Sequence, residues 1–194
     1  ITNLSSGKMG YAIARAARWA GAEVTLVSGP TALQPPVGVT LLPVTTAREM
    51  HQAVMSHVAE YRVFIAVAAV ADWRVAHASE QKIKKDGSGQ VPSLAFTENP
   101  DILAGVAASA RAQAGQLFCV GFAAESHDLL RHAQEKRQRK GVPLLVGNIG
   151  PATFGQDDNA LLLVDAQGAK ELPHASKLEL ARLLVQDIAR RLAA

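Results

Sequence analysis

The chain begins with a short polar segment whose residue types suit the binding of an anion. Residues 1–10 include Ser5, Ser6, Gly7 and Gly10 and run directly into a helical pattern, which is followed by a predicted strand. The first amides of a helix have no partner within the helix, and the positive end of the helix dipole lies beside them. Both features stabilise a phosphate or carboxylate at this position. We therefore predict an anion-binding loop, with a simple serine-capped helix start as the alternative.

The spacing of this segment excludes two common nucleotide-binding motifs. Gly7 and Gly10 do not form the G-x-G-x-x-G pattern of dinucleotide-binding folds. A Walker phosphate loop has an earlier glycine, and it has Ser or Thr at the position of Met9, where a hydroxyl group holds magnesium. The segment thus indicates anion binding without identifying a nucleotide.

A second group of candidate residues follows the main apolar run. Residues 62–71 are almost continuously apolar, which predicts a central parallel strand buried on both faces. At its tip, Ala66, Val67 and Ala68 allow a flat ligand to lie against the backbone, whose N–H and C=O groups can bind the edge of a base. Asp72 stands at the predicted strand end, where we expect a ligand contact, and a loop cap is the alternative.

Lysines at two places are candidates for phosphate contacts. Lys82, Lys84 and Lys85 lie in a long charged stretch, residues 72–90, that we predict to be a loop. A loop lysine can close over phosphates and offset charge in phosphoryl or nucleotidyl transfer, although a solvated charge run is the favoured interpretation from the residues alone. Lys136 and Lys140 share a helix face, either to bind an anion or as the usual cationic bias of a helix C-terminus.

Strands and helices alternate along the chain, which predicts a doubly wound, Rossmann-like α/β fold with a mostly parallel sheet and helices on both faces. The predicted strands are residues 23–27, 39–44, 62–71, 93–97, 116–123 and 142–147, with a C-terminal hairpin of 159–164 and 169–172. The predicted helices begin at Ser5 or Ser6, at Thr45 or Thr46 in a capping box with Glu49, at residues 99–101, at Ser126 and at Ser176. In this fold class, ligands bind at the carboxyl ends of the strands.

The composition excludes several classes of protein. A hydrophobic content of 48% with 19% charged residues fits one large folded domain rather than a disordered chain. The net charge of +3 suits a small acidic ligand, and the lack of a basic stretch interleaved with aromatic residues predicts no nucleic-acid binding. No apolar run is long enough to predict a membrane span. The six histidines lack the paired spacing of a metal site.

The single cysteine predicts a reducing compartment. With only Cys119, the chain cannot form an internal disulfide, and we expect a cytoplasmic location. Cys119 lies in an apolar stretch, so a buried and inert thiol is expected rather than a nucleophile. No Ser-His-Asp order or G-x-S-x-G elbow supplies another nucleophile.

Five motifs together resemble the phosphopantothenate–cysteine ligase family, the synthetase domain of a bacterial bifunctional coenzyme A biosynthesis flavoprotein. The motifs occur in order along essentially the whole chain and read Thr2-Asn-Leu-Ser-Ser-Gly-Lys-Met-Gly10, Ala68-Ala-Val-Ala-Asp72, Lys82-Ile-Lys-Lys85, Asn99-Pro-Asp-Ile102 and Gly121-Phe-Ala-Ala-Glu125. The resemblance implies a CTP-dependent reaction in which the carboxylate of 4′-phosphopantothenate attacks the α-phosphorus of CTP and releases pyrophosphate. The amino group of L-cysteine then displaces CMP from the acyl-cytidylate to form an amide. Magnesium accompanies the triphosphate.

The resemblance also implies roles for particular residues. Asn3 matches the asparagine that acts around the acyl-cytidylate, and Lys82 matches the lysine that contacts CTP and supports its activation; both are expected to be catalytic. The implied CTP-binding positions are Ala66, Val67, Ala68, Asp72, Lys82, Pro100, Asp101, Ile102, Leu103, Phe122, Lys136 and Lys140. Ser5, Ser6, Gly7 and Gly10 form the expected phosphate loop. No protein side chain is assigned as a metal ligand.

The resemblance implies the domain content as well. Residues 1–194 are expected to form a single nucleotide-binding synthetase domain, without the family's first strand and without the upstream decarboxylase domain. Because the flavin belongs to the decarboxylase domain, no FMN is expected here. A homodimer with active sites near the partner is implied. The family often has Asn-Asp where this chain has Asn148-Ile149, so that position is given no role.

Two other functions remain open as alternatives. A short-chain oxidoreductase that uses a nicotinamide cofactor would have an acidic residue after the second strand and a Tyr-x-x-x-Lys pair. The chain has no acidic residue at that strand end. It also lacks the Tyr-x-x-x-Lys pair, since Tyr11 and Tyr61 are followed four residues later by Arg15 and Ile65. A non-catalytic nucleotide-binding domain would bind CTP without releasing pyrophosphate in the presence of phosphopantothenate.

Overall fold

The computed structural model describes residues 5–77, 93–125, 128–149 and 158–193. Its helices are α1 (Lys8–Trp19), α2 (Ala47–His57), α3 (Ile102–Ala107), α4 (Ala110–Gln113), α5 (Leu129–Lys140) and α6 (Lys177–Ala193). Its strands are β1 (Thr25–Ser28), β2 (Thr40–Pro43), β3 (Val63–Ala66), β4 (Trp73–Val75), β5 (Phe96–Glu98), β6 (Phe118–Glu125), β7 (Leu144–Ile149), β8 (Asp158–Val164) and β9 (Ala169–Ser176).

The described strands form one main sheet and two strand pairs. The main sheet has the order β3-β6-β7-β8-β9, in which β3, β6 and β7 run parallel and β8 and β9 are antiparallel. β1 and β2 form a parallel pair, and β4 and β5 form an antiparallel pair. The predicted α/β fold with a mostly parallel sheet and a C-terminal hairpin followed by a helix is confirmed.

Helices cover both faces of the main sheet, as predicted. One apolar cluster contains Val54 of α2, Val106 of α3 and Ala133 of α5, whereas the other contains Ile13 of α1 and Leu184 of α6. Consecutive residues of β7 contribute to the two clusters in turn, because neighbouring side chains of a strand point to opposite faces. The core therefore has two layers, one on each side of β6 and β7.

The predicted start of α2 is confirmed in detail. The hydroxyl of Thr46 accepts a hydrogen bond from the amide of Glu49 at 3.1 Å. The carboxylate of Glu49 accepts from the amide of Thr45 at 2.7 Å. These reciprocal bonds satisfy amides that the first turn of a helix leaves without partners.

Two further helix ends also follow the sequence. Gly141 ends α5 in the left-handed conformation, with a φ of 64°, which glycine adopts without steric cost. The hydroxyl of Ser176 accepts from the amide of Glu179 at 3.2 Å and thereby caps the first turn of α6.

The prediction of a long central strand over residues 62–71 was wrong. The strand covers only Val63–Ala66, lies at the edge of the described main sheet and is partly exposed along its length. Tyr61, two residues before the strand, shares a hydrogen bond between its hydroxyl and that of Thr25 in β1. Residues 67–71 lie outside the strand, and no described strand pairs with them.

Three helix starts also differ from prediction. Gly7, not a serine, is the N-cap of α1, and Asp128 is the N-cap of α5, whereas Ser126 lies outside the described residues. The single helix predicted after Asp101 is two helices, because the hydroxyl of Ser109 caps α4 by accepting from the amide of Ala112 at 3.3 Å. Pro100 precedes the N-cap of α3 rather than lying in its first turn.

The predicted loop over residues 72–90 is partly a strand. Trp73–Val75 forms β4, which pairs antiparallel with β5. Because β4 has only three residues and lies beside polar residues, the periodicity of the sequence does not reveal it. Strands β1, β5, β6 and β7 each begin two or three residues later than predicted. No described helix combines the length and the apolar character needed to cross a membrane.

Candidate functional site

The predicted phosphate loop, Ser5–Gly10, opens α1 through a glycine. Gly7 has a φ of 73°, a left-handed backbone conformation that favours glycine, and no side chain caps it. The hydroxyl of Ser5 accepts from the amide of Gly7, and that of Ser6 accepts from the amide of Lys8, both at 3.4 Å. The alternative of a serine N-cap is therefore wrong. The serine hydroxyls accept long hydrogen bonds from the amide of the N-cap residue and from the amide of the first helical residue.

Contacts on two sides fix the phosphate loop. The hydroxyl of Thr31, after β1, donates to the carbonyl of Ser6 at 3.3 Å. On the other side, a Cβ built on Gly10 would lie 4.0 Å from the Cβ of Val67, just beyond β3. The loop thus lies against the tip of β3, as expected from the rule that ligand sites form at the carboxyl ends of strands.

The tip of β3 presents a surface made of backbone and small side chains. Ala68 is exposed, whereas Ala66 and Val67 are partly buried. Ala66 lies opposite Gly121 of β6 in the parallel register. Phe122, the next residue of β6, packs in the same apolar cluster as Val67. Residues 66–68 and Phe122 therefore come together at one edge of the sheet, with open backbone at Ala68.

The exposed residue Asp72 is positioned through Asn99. The amide of Asn99 donates to the carbonyl of Asp72, and its side-chain amide donates to the carbonyl of Ala71, both at 2.8 Å. The guanidinium of Arg74 donates to the side-chain oxygen of Asn99 at 3.3 Å and to the carbonyl of Glu98. Sequence reasoning missed the positioning roles of Asn99 and Arg74. The signal was the Asn99-Pro-Asp motif, which predicts a helix start and carries part of the family resemblance, but gives Asn99 itself no role.

Asp101 connects the start of α3 with the end of α5. Its Oδ1 accepts from the amide of Ala104 at 3.0 Å, and its Oδ2 accepts from the ammonium of Lys140. Burial alone would raise the pKa of Asp101, but the hydrogen bonds from Lys140 and Ala104 and the charges of Lys140 and Lys136 together lower it. The two lysines predicted to share a helix face thus both act on a residue at the start of α3.

The start of α3 is held against β6 by a glycine. A Cβ on Gly121 would lie 2.7 Å from a methyl group of Leu103 and 2.8 Å from a methyl group of Leu145. Both leucines are buried, so any side chain at this position would displace them. The absence of a side chain at Gly121 therefore lets the segment Pro100–Leu103 approach the strand carrying Phe122.

The described candidates form two contact groups. The phosphate loop contacts the tip of β3, and Asp72 is joined through Asn99 to the segment before Asp101 and Lys140. Among the described residues, no direct side-chain contact connects Ser5 or Ser6 with Asp101 or Lys140. The two residues expected to be catalytic, Asn3 and Lys82, lie outside the described residues, as do Lys84 and Lys85.

A cavity of about 570 Å³ lies elsewhere, at the amino ends of β6 and β7. Phe118, Cys119, Arg137 and Val142 are among its lining residues, and none of the predicted site residues lines it. Cys119 is buried, as predicted, and burial raises the pKa of its thiol to about 11. A thiol with this pKa is protonated at neutral pH, so Cys119 is not an activated nucleophile.

The arrangement at the carboxyl ends of β3 and β6 suits an anionic ligand with a flat part. Open backbone at Ala68 can bind a planar group by hydrogen bonds, and the phosphate loop and the lysines of α5 can contact negative charge. Within the described ranges, no three His, Cys, Asp or Glu side chains converge on a point that could hold a metal ion.

Comparison with known proteins gives matches over the whole chain. A family model described as the C-terminal domain of the DNA/pantothenate metabolism flavoprotein matches residues 1–192. The protein named coenzyme A biosynthesis bifunctional protein CoaBC is 44% identical in both Vibrio vulnificus strain CMCP6 and Escherichia coli K12. The alignments cover 97% and 98% of this chain but 47% of each relative, so the chain spans about half the length of the relatives it matches.

Solved structures agree with the sequence comparison. The crystal structure of the C-terminal domain of a CoaBC protein has a TM-score of 0.82 at 34% identity, and the match covers 100% of this chain and 86% of that one. The crystal structure of the DNA/pantothenate metabolism flavoprotein from Streptococcus pneumoniae has a TM-score of 0.81 at 20% identity, with 98% of this chain and 91% of that one covered, and supports the fold alone.

Proposed function

Because the chain belongs to the family of DNA/pantothenate metabolism flavoprotein C-terminal domains, we propose that it is a CTP-dependent ligase joining 4′-phosphopantothenate to L-cysteine. The observation that carries the proposal is the match along nearly the whole chain to relatives named for coenzyme A biosynthesis, at up to 44% identity. The contact between the phosphate loop and the tip of β3 supports it, because the carboxyl ends of strands are where this fold class binds ligands.

The chemistry requires activation of a poor acylating agent. A free carboxylate does not react with an amine at useful rates, whereas a mixed anhydride with CMP has a good leaving group. The carboxylate oxygen of phosphopantothenate attacks the α-phosphorus of CTP, and pyrophosphate leaves. The amino group of cysteine then attacks the acyl carbon, CMP leaves and an amide forms. No nucleophile from the enzyme is required, which agrees with the buried, protonated thiol of Cys119.

The residues of the chain would bind and orient the two anionic substrates. Backbone groups near Ala68 and Asp101, together with Asp72, would bind the cytosine edge. The phosphate loop and the ammonium groups of Lys136 and Lys140 would offset the negative charge of the phosphates. In this proposal Lys82 stabilises the charge that develops at the α-phosphorus, and Asn3 acts on the acyl-cytidylate.

Magnesium fits this site as a companion of the triphosphate. Mg²⁺ usually keeps several waters and is held by one or two carboxylates together with substrate phosphates. Asp72 is exposed at the site, whereas Asp101 already accepts hydrogen bonds from Ala104 and Lys140. When bound, the ion would neutralise phosphate charge, and substrate phosphates and waters would be its main ligands, since Asp72 is proposed to bind the cytosine edge.

Base selectivity provides a direct test of this proposal. If the cytosine edge pairs with fixed backbone groups, a base that leaves them unpaired loses on the order of 1–3 kcal/mol per group. We expect CTP to bind at least about tenfold more tightly than ATP or UTP in isothermal titration calorimetry. Equal affinities for the three nucleotides would contradict the proposed mode of base recognition.

The proposal also includes partners and location. A homodimer is proposed, with the family resemblance as its support. On the described surface, the β4–β5 pair exposes Trp73 and Phe96, whose relative accessibilities are 49% and 48%. Exposed aromatic residues of this size are enriched at protein–protein contacts. Cytoplasmic location stays a prediction.

A further inference from the structure

Asp101 uses its two carboxylate oxygens for two separate tasks. Oδ1 accepts from the amide of Ala104 and caps α3, while Oδ2 accepts from the ammonium of Lys140, which is 39 residues further along the chain. One carboxylate therefore joins the start of α3 to the last residue of α5. The cap alone requires only one oxygen, so the second contact is not explained by helix formation.

The contact orders a lysine that would otherwise have many conformations. The Lys140 side chain is 20% exposed, and the Asp101 side chain is 45% exposed. A lysine side chain loses conformational entropy when it is fixed, and this loss opposes binding. A ligand that meets an already ordered lysine does not have to offset this loss, which is the general advantage of preorganisation.

The ammonium of Lys140 can bind an anion while it is bonded to Asp101. Lys136 lies one turn before Lys140, and its charge also acts on Asp101. An ammonium has three N–H donors, and a bond to Oδ2 uses one of them, so two remain for phosphate oxygens. Asp101 and a phosphate can therefore share Lys140.

We propose that Asp101 is a positioning residue, which holds the ammonium of Lys140 at the start of α3 so that it meets the nucleotide phosphates already ordered. This inference rests on the proposed function, because it takes CTP as the anion. It separates two contributions of one residue to CTP binding: the backbone near Asp101 contacts the base, and the side chain acts on the phosphates through Lys140.

The test is a double-mutant cycle read by calorimetry with CTP. Asp101→Asn and Asp101→Ser both keep an N-cap residue, since Asn and Ser rank with Asp at this position. Neither carries the charge that orders Lys140. We expect each to weaken CTP binding by about fivefold, the size of a partly exposed ion pair, with no loss of unfolding free energy in urea. In the Lys140→Met background, Asp101→Asn should change the affinity less than twofold.

Two matched variants complete the experiment. Lys140→Arg keeps the charge and the reach, so Asp101→Asn should weaken CTP binding again in that background. Glu179→Gln removes an acid that pairs with Arg182 on α6 and should leave CTP affinity unchanged.

Three results would overturn the inference while leaving the proposed function intact. They are unchanged or tighter CTP binding by Asp101→Asn, an equal weakening with and without Lys140, or a fall in unfolding free energy that accounts for the loss. If the unsubstituted chain does not bind CTP, the proposed function itself fails, and the inference fails with it.

Discussion

The edge formed by the carboxyl ends of β3 and β6 differs from the C-terminal unit of β8, β9 and α6 in almost every physical respect. At the edge, alanines are exposed and strand β3 is partly exposed throughout. In the C-terminal unit, Leu163, Leu180 and Leu184 are at most 2% exposed. The edge leaves backbone groups free to bind a ligand, whereas the C-terminal unit uses its side chains to exclude water. We infer that ligand binding and stability are assigned to different parts of this chain.

The charged groups follow the same division. In the C-terminal unit, the buried carboxylate of Asp187 accepts from the Nε of Arg191 at 2.6 Å, and Arg191 also pairs with Asp165 at 2.7 Å. Asp165 in turn accepts from the amides of Gln167 and Gly168 in the hairpin turn. These contacts bind α6 to the hairpin. At the start of α3, the ammonium of Lys140 instead joins Asp101 and keeps two further N–H donors for a ligand.

Truncation of a buried leucine in α6 should have the largest effect on stability and none on binding. Leu184 is fully buried, so Leu184→Ala should lower the unfolding free energy by about 2–5 kcal/mol. Urea denaturation measures this change, and calorimetry at a temperature where the variant is folded should give an unchanged CTP affinity. Leu192→Ala on the same helix is the control, since Leu192 is 37% exposed and should cost little. A loss of CTP affinity by Leu184→Ala would show that the two regions are coupled.

Substitution of Lys82 should slow the reaction without changing stability. Removing a group that stabilises transition-state charge typically costs on the order of 3 kcal/mol, roughly a hundredfold in rate. We expect Lys82→Gln to slow acyl-cytidylate formation by this amount, measured by rapid quench, with an unchanged unfolding free energy. Lys84→Gln and Lys85→Gln are the internal controls and should be much milder. Equal losses in all three variants would show that the segment acts only through its overall positive charge.

Substitution of Gly121 should change both stability and CTP affinity. Gly121→Ala would place a methyl group 2.7 Å from Leu103 and 2.8 Å from Leu145, and such overpacking costs about 1–3 kcal/mol. Because Leu103 belongs to the segment that starts α3, we also expect weaker CTP binding. Parallel urea and calorimetric measurements would detect both changes. A stability loss without any change in CTP affinity would show that the start of α3 does not contribute to the binding site.

The smallest effect is expected at a helix cap outside both regions. Thr46→Ala removes the hydroxyl that accepts from Glu49 and should lower the unfolding free energy by about 1 kcal/mol. CTP affinity should stay the same. Thr45→Ala is the matched control, because Thr45 contributes its backbone amide rather than its hydroxyl to the capping box. Similar losses in both variants would contradict the assigned cap.

The sequence predicted those elements whose signals are local. Thr46 with Glu49, Gly141 and Ser176 mark helix ends by short-range hydrogen bonds or backbone conformation, and all three were confirmed. The C-terminal hairpin was also found from the turn between its strands. Such features depend on a few neighbouring residues, so no knowledge of the tertiary fold is required.

Features set by distant contacts were predicted less well. Residues 62–71 have the composition of a buried strand, but the length of β3 depends on which strand lies beside it. β4 has three residues and depends on pairing with β5, which sequence periodicity cannot reveal. The bond between Asp101 and Lys140 joins residues 39 apart, and no local pattern specifies it. The motifs located the candidate residues, whereas the structure specified which of them touch.

The most direct test of the account is an assay of pyrophosphate release from CTP in the presence of magnesium and 4′-phosphopantothenate, with and without L-cysteine. We expect release to depend on phosphopantothenate, to stop near one equivalent per site without cysteine and to continue through many turnovers when cysteine is added. CTP binding without any phosphopantothenate-dependent release would contradict the proposed ligase and indicate a non-catalytic nucleotide-binding domain.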